Sequence, residues 1–206
     1  MTRQLIGITL ALTLASCGSG STPVEPEPSR SATGGALLAV EDLPDGYVTS
    51  PPQAEPEVSR ASTVSVAGCD ALIDRFRAGG TGVRFEGGAT GPFLAEEVSE
   101  NPDAVGVLRE LGTRCAAFTD TDPGGGTTSV TVADAGLPSL GDESAAVRMA
   151  ASGGAGDEAY TLGGYLLVVR VGGTTCTLVH FGQPEVDRAE TEAIARAAVR
   201  KLQRRQ

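Results

Sequence analysis

The chain has no tryptophan, three tyrosines and five phenylalanines among its 206 residues. The aromatic platforms on which sugar rings stack are therefore poorly supplied. His180 is the single histidine, so one imidazole is all that base catalysis could draw on. A GxSxG elbow is missing, which removes the commonest cue for an α/β-hydrolase. GxxxxGK[ST] is missing too, so the many glycines do not make a phosphate cradle. Positive charge is scarce, with 16 Lys and Arg against 26 Asp and Glu and a net charge of −10. That balance disfavours nucleic acid and a direct grip on anionic lipid head groups.

What is present starts with an apolar run. A short polar start carrying Arg3 leads into residues 5–14, apolar but too short to span a bilayer. The run ends in Leu14-Ala15-Ser16-Cys17, which resembles the lipobox of bacterial lipoproteins. The resemblance implies a signal peptide at 1–16 and a diacylglyceryl group, with palmitate-type chains, on the Cys17 sulfur. Two acyl chains suffice for stable anchoring, so the expected location is the extracytoplasmic face of the cell membrane. Residues 18–35 are Gly, Ser, Pro, Thr and Glu with almost nothing apolar, a composition that cannot offset its ordering entropy. With Cys17 they form a tether over 17–35 whose coil reach is roughly 23 Å. Residues 36–206 remain for one extracytoplasmic domain, ample for a core.

That domain reads as α+β, an antiparallel sheet of about five to six strands with flanking helices. Leu72, Ile73 and Phe76 follow Cys69 at helical spacing, and strands are expected at 83–86 and 93–98. Asn101 as cap and Pro102 at the first helical position announce a second helix with Ala104, Leu108, Leu111 and Cys115 on its buried stripe. Further strands are expected at 129–133, 145–150, 160–171, with Gly163-Gly164 as a candidate break, and 174–181. Gly172-Gly173 closes the last two as a hairpin. An amphipathic helix from about Glu185 packs Ile194, Ala197, Ala198 and Leu202. Its acidic start and basic end suit the helix dipole better than they suit a polyanion site.

Three cysteines follow Cys17, giving one pair and one leftover. Of the three possible pairs the sequence favours Cys69 with Cys115, both core-facing on helices able to pack together. Cys176 is then a buried small hydrophobe. Cys176 and His180 share a strand face but stand roughly 13 Å apart, too far for a nucleophile and its base. A two-residue turn at Gly172-Gly173 instead sets His180 opposite Tyr165, and this polar-aromatic pair is the candidate ligand contact. Asp120 and Asp122 lack the further oxygen ligands of a calcium loop, and Glu96 and Glu97 point to opposite faces of their strand. No metal or other cofactor is expected.

The spread of LPDGY (43–47), Cys69, Cys115, LGDESAAVR (140–148), VVRVG (168–172) and AAVRKL resembles the extracellular sensor domains of actinobacterial transmembrane Ser/Thr kinases and their lipoprotein relatives. The resemblance implies an antiparallel sheet with flanking helices and a cleft for an unidentified ligand. The expected function is a non-enzymatic sensor or binding module, held to the membrane by its lipid, with a small-molecule, lipid or protein partner. Two alternatives stand beside it. A lipid carrier would need a cavity lined by Leu166, Val168 and Phe181, and a cryptic hydrolase would need a Ser or Asp beside His180.

Overall fold

Gly172 and Gly173 set the middle of the sheet. Gly172 takes φ +58°, a conformation that L side chains resist, and the two-residue turn pairs Val171 with Thr174. It joins β8 (Tyr160–Val171) to β9 (Thr174–Gly182). The computed structural model describes residues 36–51, 63–76 and 80–206. The segments read as signal peptide and tether, with Cys17, lie outside the described residues.

Around this hairpin stand β1 (Val48–Thr49), β2 (Thr63–Val64), β3 (Thr81–Glu86), β4 (Phe93–Ser99), β5 (Ala117–Thr121), β6 (Thr127–Asp134) and β7 (Glu143–Gly153). All nine form one antiparallel sheet in the order β1-β3-β4-β9-β8-β7-β6-β5-β2. The expected five to six strands are thus too few. The additions are β1 and β2, edge strands of two residues that cannot show an alternating pattern, and β5, whose AFTDT carries one large apolar residue. Gly163 and Gly164 do not break β8. A Cβ on Gly164 would stand 2.0 Å from the His180 carbonyl oxygen, and one on Gly163 would stand 2.9 Å from that of Pro184. The glycines mark a place where backbones approach closely.

The sheet is covered on both faces, which explains the continuous apolar run Leu166-Leu167-Val168-Val169 in β8. Leu167 and Val169 face one core, with Phe85, Leu94, Leu178 and α3 (Arg188–Gln203). Ala36, Leu37 and Leu38 are buried in the same core. Leu166 and Val168 face the other core, with Val130, Val147 and the helices α1 (Cys69–Phe76) and α2 (Ala104–Arg114). Leu166 and Val168 thus pack beneath α2, with Phe181 half-buried at the margin.

The helices keep their expected stripes. Ala104, Leu108, Leu111 and Cys115 are buried along α2, and Ile194, Ala197, Ala198 and Leu202 along α3. The start of α2 differs from the reading. Asn101 accepts from the Asp103 N–H at 3.0 Å in a turn before the helix, and Asp103 stands at the N-cap without a side-chain bond. At α3 the cap is Asp187, whose carboxylate accepts from the Glu190 N–H at 2.8 Å.

Cys69 and Cys115 form a disulfide that ties α1 to the end of α2, and Cys176 is free and buried. The bridge spans 46 positions, and closing a loop of that size removes denatured-state entropy worth about 4 kcal/mol. Reduction is therefore expected to lower Tm by on the order of 10 °C, measured by calorimetry with and without reductant. A Tm unmoved by reduction would show that helix packing holds without the bridge.

Candidate functional site

Tyr165 and His180 are cross-strand partners, and both are buried, at 4% and 1% exposure. They face α3. His180 Nε2 lies 2.8 Å from Tyr47 Oη, and Nδ1 lies 2.9 Å from Thr191 Oγ1. Tyr47 reaches on to Glu190 Oε1 at 2.7 Å, and Thr191 to the Asp187 carbonyl at 2.8 Å. The two hydroxyls beside the imidazole are thus a buried tyrosine and a buried threonine, at 5% and 2% exposure, and neither is the Ser or Asp that a hydrolase reading needs.

Proton counting fixes the state of this chain of bonds. All four contacts can coexist only if both ring nitrogens donate, which requires the imidazolium. Burial holds His180 neutral by lowering its pKa to about 4, against the opposing attraction of Glu190 and Asp187. One outer bond must then yield. The charge-assisted bond from Tyr47 to Glu190 is the stronger, so Nε2 carries the proton and gives it to Tyr47. Thr191 turns its hydroxyl to Nδ1. Burial, and then Glu190, push the Tyr47 phenol well above its ordinary range.

A second buried polar group is Glu96, 1% exposed on the same sheet face. Its oxygens accept from the Leu38 backbone N–H at 2.5 Å and the Cys176 thiol at 3.5 Å. Burial raises its pKa despite those two donors, and burial also lifts the Cys176 thiol, with Glu96 adding to the effect. Close by, Asp42 is bound to Lys201 on α3 and accepts from the Ala39 N–H at 2.8 Å. These contacts fasten the first described residues over the core. The sequence hinted at Glu96 through its place between Leu94 and Val98 in an alternating strand, but a glutamate there reads as an outward residue.

A cavity of about 440 Å³ lies elsewhere, at a notch in the sheet. β6 ends at Asp134, which pairs with Val147, whereas β7 begins four residues earlier in register, at Glu143. Residues 143–146 therefore run past the end of β6 with β8 on their other side. The edge carbonyls there are engaged: Ser144 O accepts from Arg109 Nη2 at 2.9 Å, and Ala146 O from the Ala135 N–H at 3.2 Å. Arg109 Nη1 also reaches Glu143 Oε1 at 2.6 Å, and Arg170 takes Oε2 at 2.9 Å. Arg109 and then Arg170 hold the Glu143 carboxyl below its ordinary range. Leu137, Leu140, Val147, Leu167 and Val169 give the cavity apolar walls. None of the site residues expected from the sequence lines it.

A smaller cleft of about 170 Å³ at the start of α3 is acidic, but its carboxylates are engaged. Glu185 pairs with Arg148 at 2.7 Å, Asp187 caps α3, and Glu190 takes the Tyr47 hydroxyl. Among the described residues no group of three His, Cys, Asp or Glu is placed to hold a metal ion.

No protein-family model matches the chain, and no curated protein matches it in sequence. The fold is similar to the extracellular domain of PknH from Mycobacterium tuberculosis. The likeness covers 82% of this chain and 93% of that one, at 14% identity and a TM-score of 0.47. The sequence resemblance names the same kind of extracellular domain.

The buried histidine sets an acid limit. Its folded pKa, about 4, lies below the ordinary 6.5, so the unfolded chain binds the extra proton between these values. Stability is full above 6.5 and is lost as pH falls towards 4, by at most about 1.4 kcal/mol per unit. Glu96 acts in the opposite sense, because its raised pKa makes the folded state bind the extra proton. Urea titrations from pH 7 to pH 4 are expected to show the acid loss in the native protein and a flatter profile in His180→Gln. Parallel profiles would place the loss on other groups.

Proposed function

We propose that this protein is an extracytoplasmic lipoprotein, anchored through Cys17, whose domain over 36–206 is a non-enzymatic sensor or binding module. The notch cavity is the observation that carries the binding reading. At about 440 Å³ it falls within the range of small-molecule pockets, roughly 300–1,000 Å³. Its walls are mostly apolar, with a few fixed polar groups at the rim, the pattern that gives affinity by burial and orientation by hydrogen bonds. The location draws on the lipobox and on the Cys69–Cys115 bridge, since disulfides persist in oxidising compartments. Among the described residues no helix is long and apolar enough to cross a membrane.

Each half of the reading has its own test. Cys17→Ser is expected to abolish acylation and to leave unprocessed precursor or released protein, scored by membrane fractionation and mass spectrometry. A processed, acylated serine variant would overturn the anchor. For the cavity, Ala146→Phe should fill it while preserving the circular dichroism spectrum. Binding of an environment-sensitive apolar dye to the native chain, lost in that variant, supports the site; undiminished binding places the ligand elsewhere.

A further inference from the structure

We infer that the notch cavity takes a small zwitterion with an apolar side chain, in chemical class a free apolar α-amino acid. The inference rests on the reading of this cavity as the binding site and adds the ligand chemistry. Arg109 and Asp134 both line it, so one cationic and one anionic side chain border a single space whose lining is otherwise mostly apolar or small.

Arg109 is held in advance. Nη1 is tied to Glu143 and Nη2 to the Ser144 carbonyl, which fixes the plane of the guanidinium and uses two of its five N–H groups. Its charge is not cancelled, because Glu143 is shared with Arg170 and one carboxylate stands between two guanidiniums. A ligand carboxylate can therefore bind Arg109 through the remaining donors without breaking the contacts that orient it. Ser144 Oγ accepts from the Leu140 N–H at 3.0 Å, so its own hydroxyl proton can serve the same carboxylate.

Asp134 supplies the opposite charge. One oxygen accepts from the Gly136 N–H at 3.1 Å, which steadies the side chain, and Asp134 enters no ion pair among the described residues. Its second oxygen is suited to an ammonium group. A purely anionic apolar ligand would leave this carboxylate facing bound negative charge, and a purely cationic one would meet Arg109. A molecule carrying both charges, with an alkyl group for the apolar lining of the cavity, satisfies all three features. The volume, towards the low end for small-molecule pockets, suits a ligand of that size better than a two-chain lipid.

The test is calorimetric titration of the full chain in detergent with leucine, N-acetylleucine, leucinamide and decanoate. Leucine is expected to bind, with N-acetylleucine and leucinamide about tenfold or more weaker, as each loses one charge-assisted contact. Arg109→Gln should weaken leucine by a similar factor and leave leucinamide unchanged. Asp134→Asn should weaken leucine and leave N-acetylleucine unchanged. Decanoate or N-acetylleucine binding as well as leucine overturns the zwitterion. If such binding is lost in Ala146→Phe, the cavity stands as a site for another ligand class. If none of the four binds and the apolar dye is also indifferent to Ala146→Phe, the site and its ligand fall together.

Discussion

The register of the β8–β9 hairpin is the constraint on which the rest of the molecule depends. Side chains alternate with a period of two, so a slip of one residue would carry each to the opposite face. In the observed register Leu167, Val169, Cys176, Leu178 and His180 meet α3, while Leu166 and Val168 meet α2. The Gly172-Gly173 turn determines it locally, and Gly164 fixes it at the far end, where only a missing side chain lets the His180 carbonyl approach. Two helix layers that never touch the same face are thereby aligned through one pair of strands.

A slipped register would also strand buried polar groups. His180, Thr191 and Glu96 are each at most 2% exposed, and an unpaired polar atom in such surroundings costs about 1–3 kcal/mol. Each has partners only in the native arrangement: His180 needs Tyr47 from the first loop and Thr191 from α3, and Glu96 needs Leu38 and Cys176. Apolar contacts alone would tolerate several packings of β-branched and leucine side chains. The polar pairs penalise the alternatives, and they tie the N-terminal segment to the same core as the last helix.

This division explains what could be read in the sequence. The α3 stripe, the hairpin, the Tyr165–His180 pairing and the Cys69–Cys115 bridge follow from local periodicity or turn chemistry, and each is where those rules put it. Tyr47 and Glu96 were not legible as buried partners. Their environment is built by residues 133 and 58 positions away in sequence, and a tyrosine after a turn or a glutamate in a strand reads as a surface residue. Strands β1 and β2 were invisible for a different reason, since a two-residue strand exists only because its neighbour offers an open edge.

The cavity belongs to the second class, because it arises from a mismatch in strand length that no single segment encodes. Where β7 outruns β6, its edge would normally leave backbone groups unsatisfied and open to pairing with another chain. Here Arg109 reaches from α2 to the Ser144 carbonyl, and the chain leaving β6 supplies the Ala135 N–H to Ala146. The edge is thus satisfied without being filled. A backbone strand in that place would have closed the notch, whereas one guanidinium satisfies the carbonyl and leaves the space beside it empty. Because Glu143 and Arg170 brace the guanidinium, the same group that protects the sheet edge remains rigid enough to orient a ligand. Removing Arg109 would consequently disturb edge and site together, and only a neutral side chain that still bonds to Ser144 could separate the two roles.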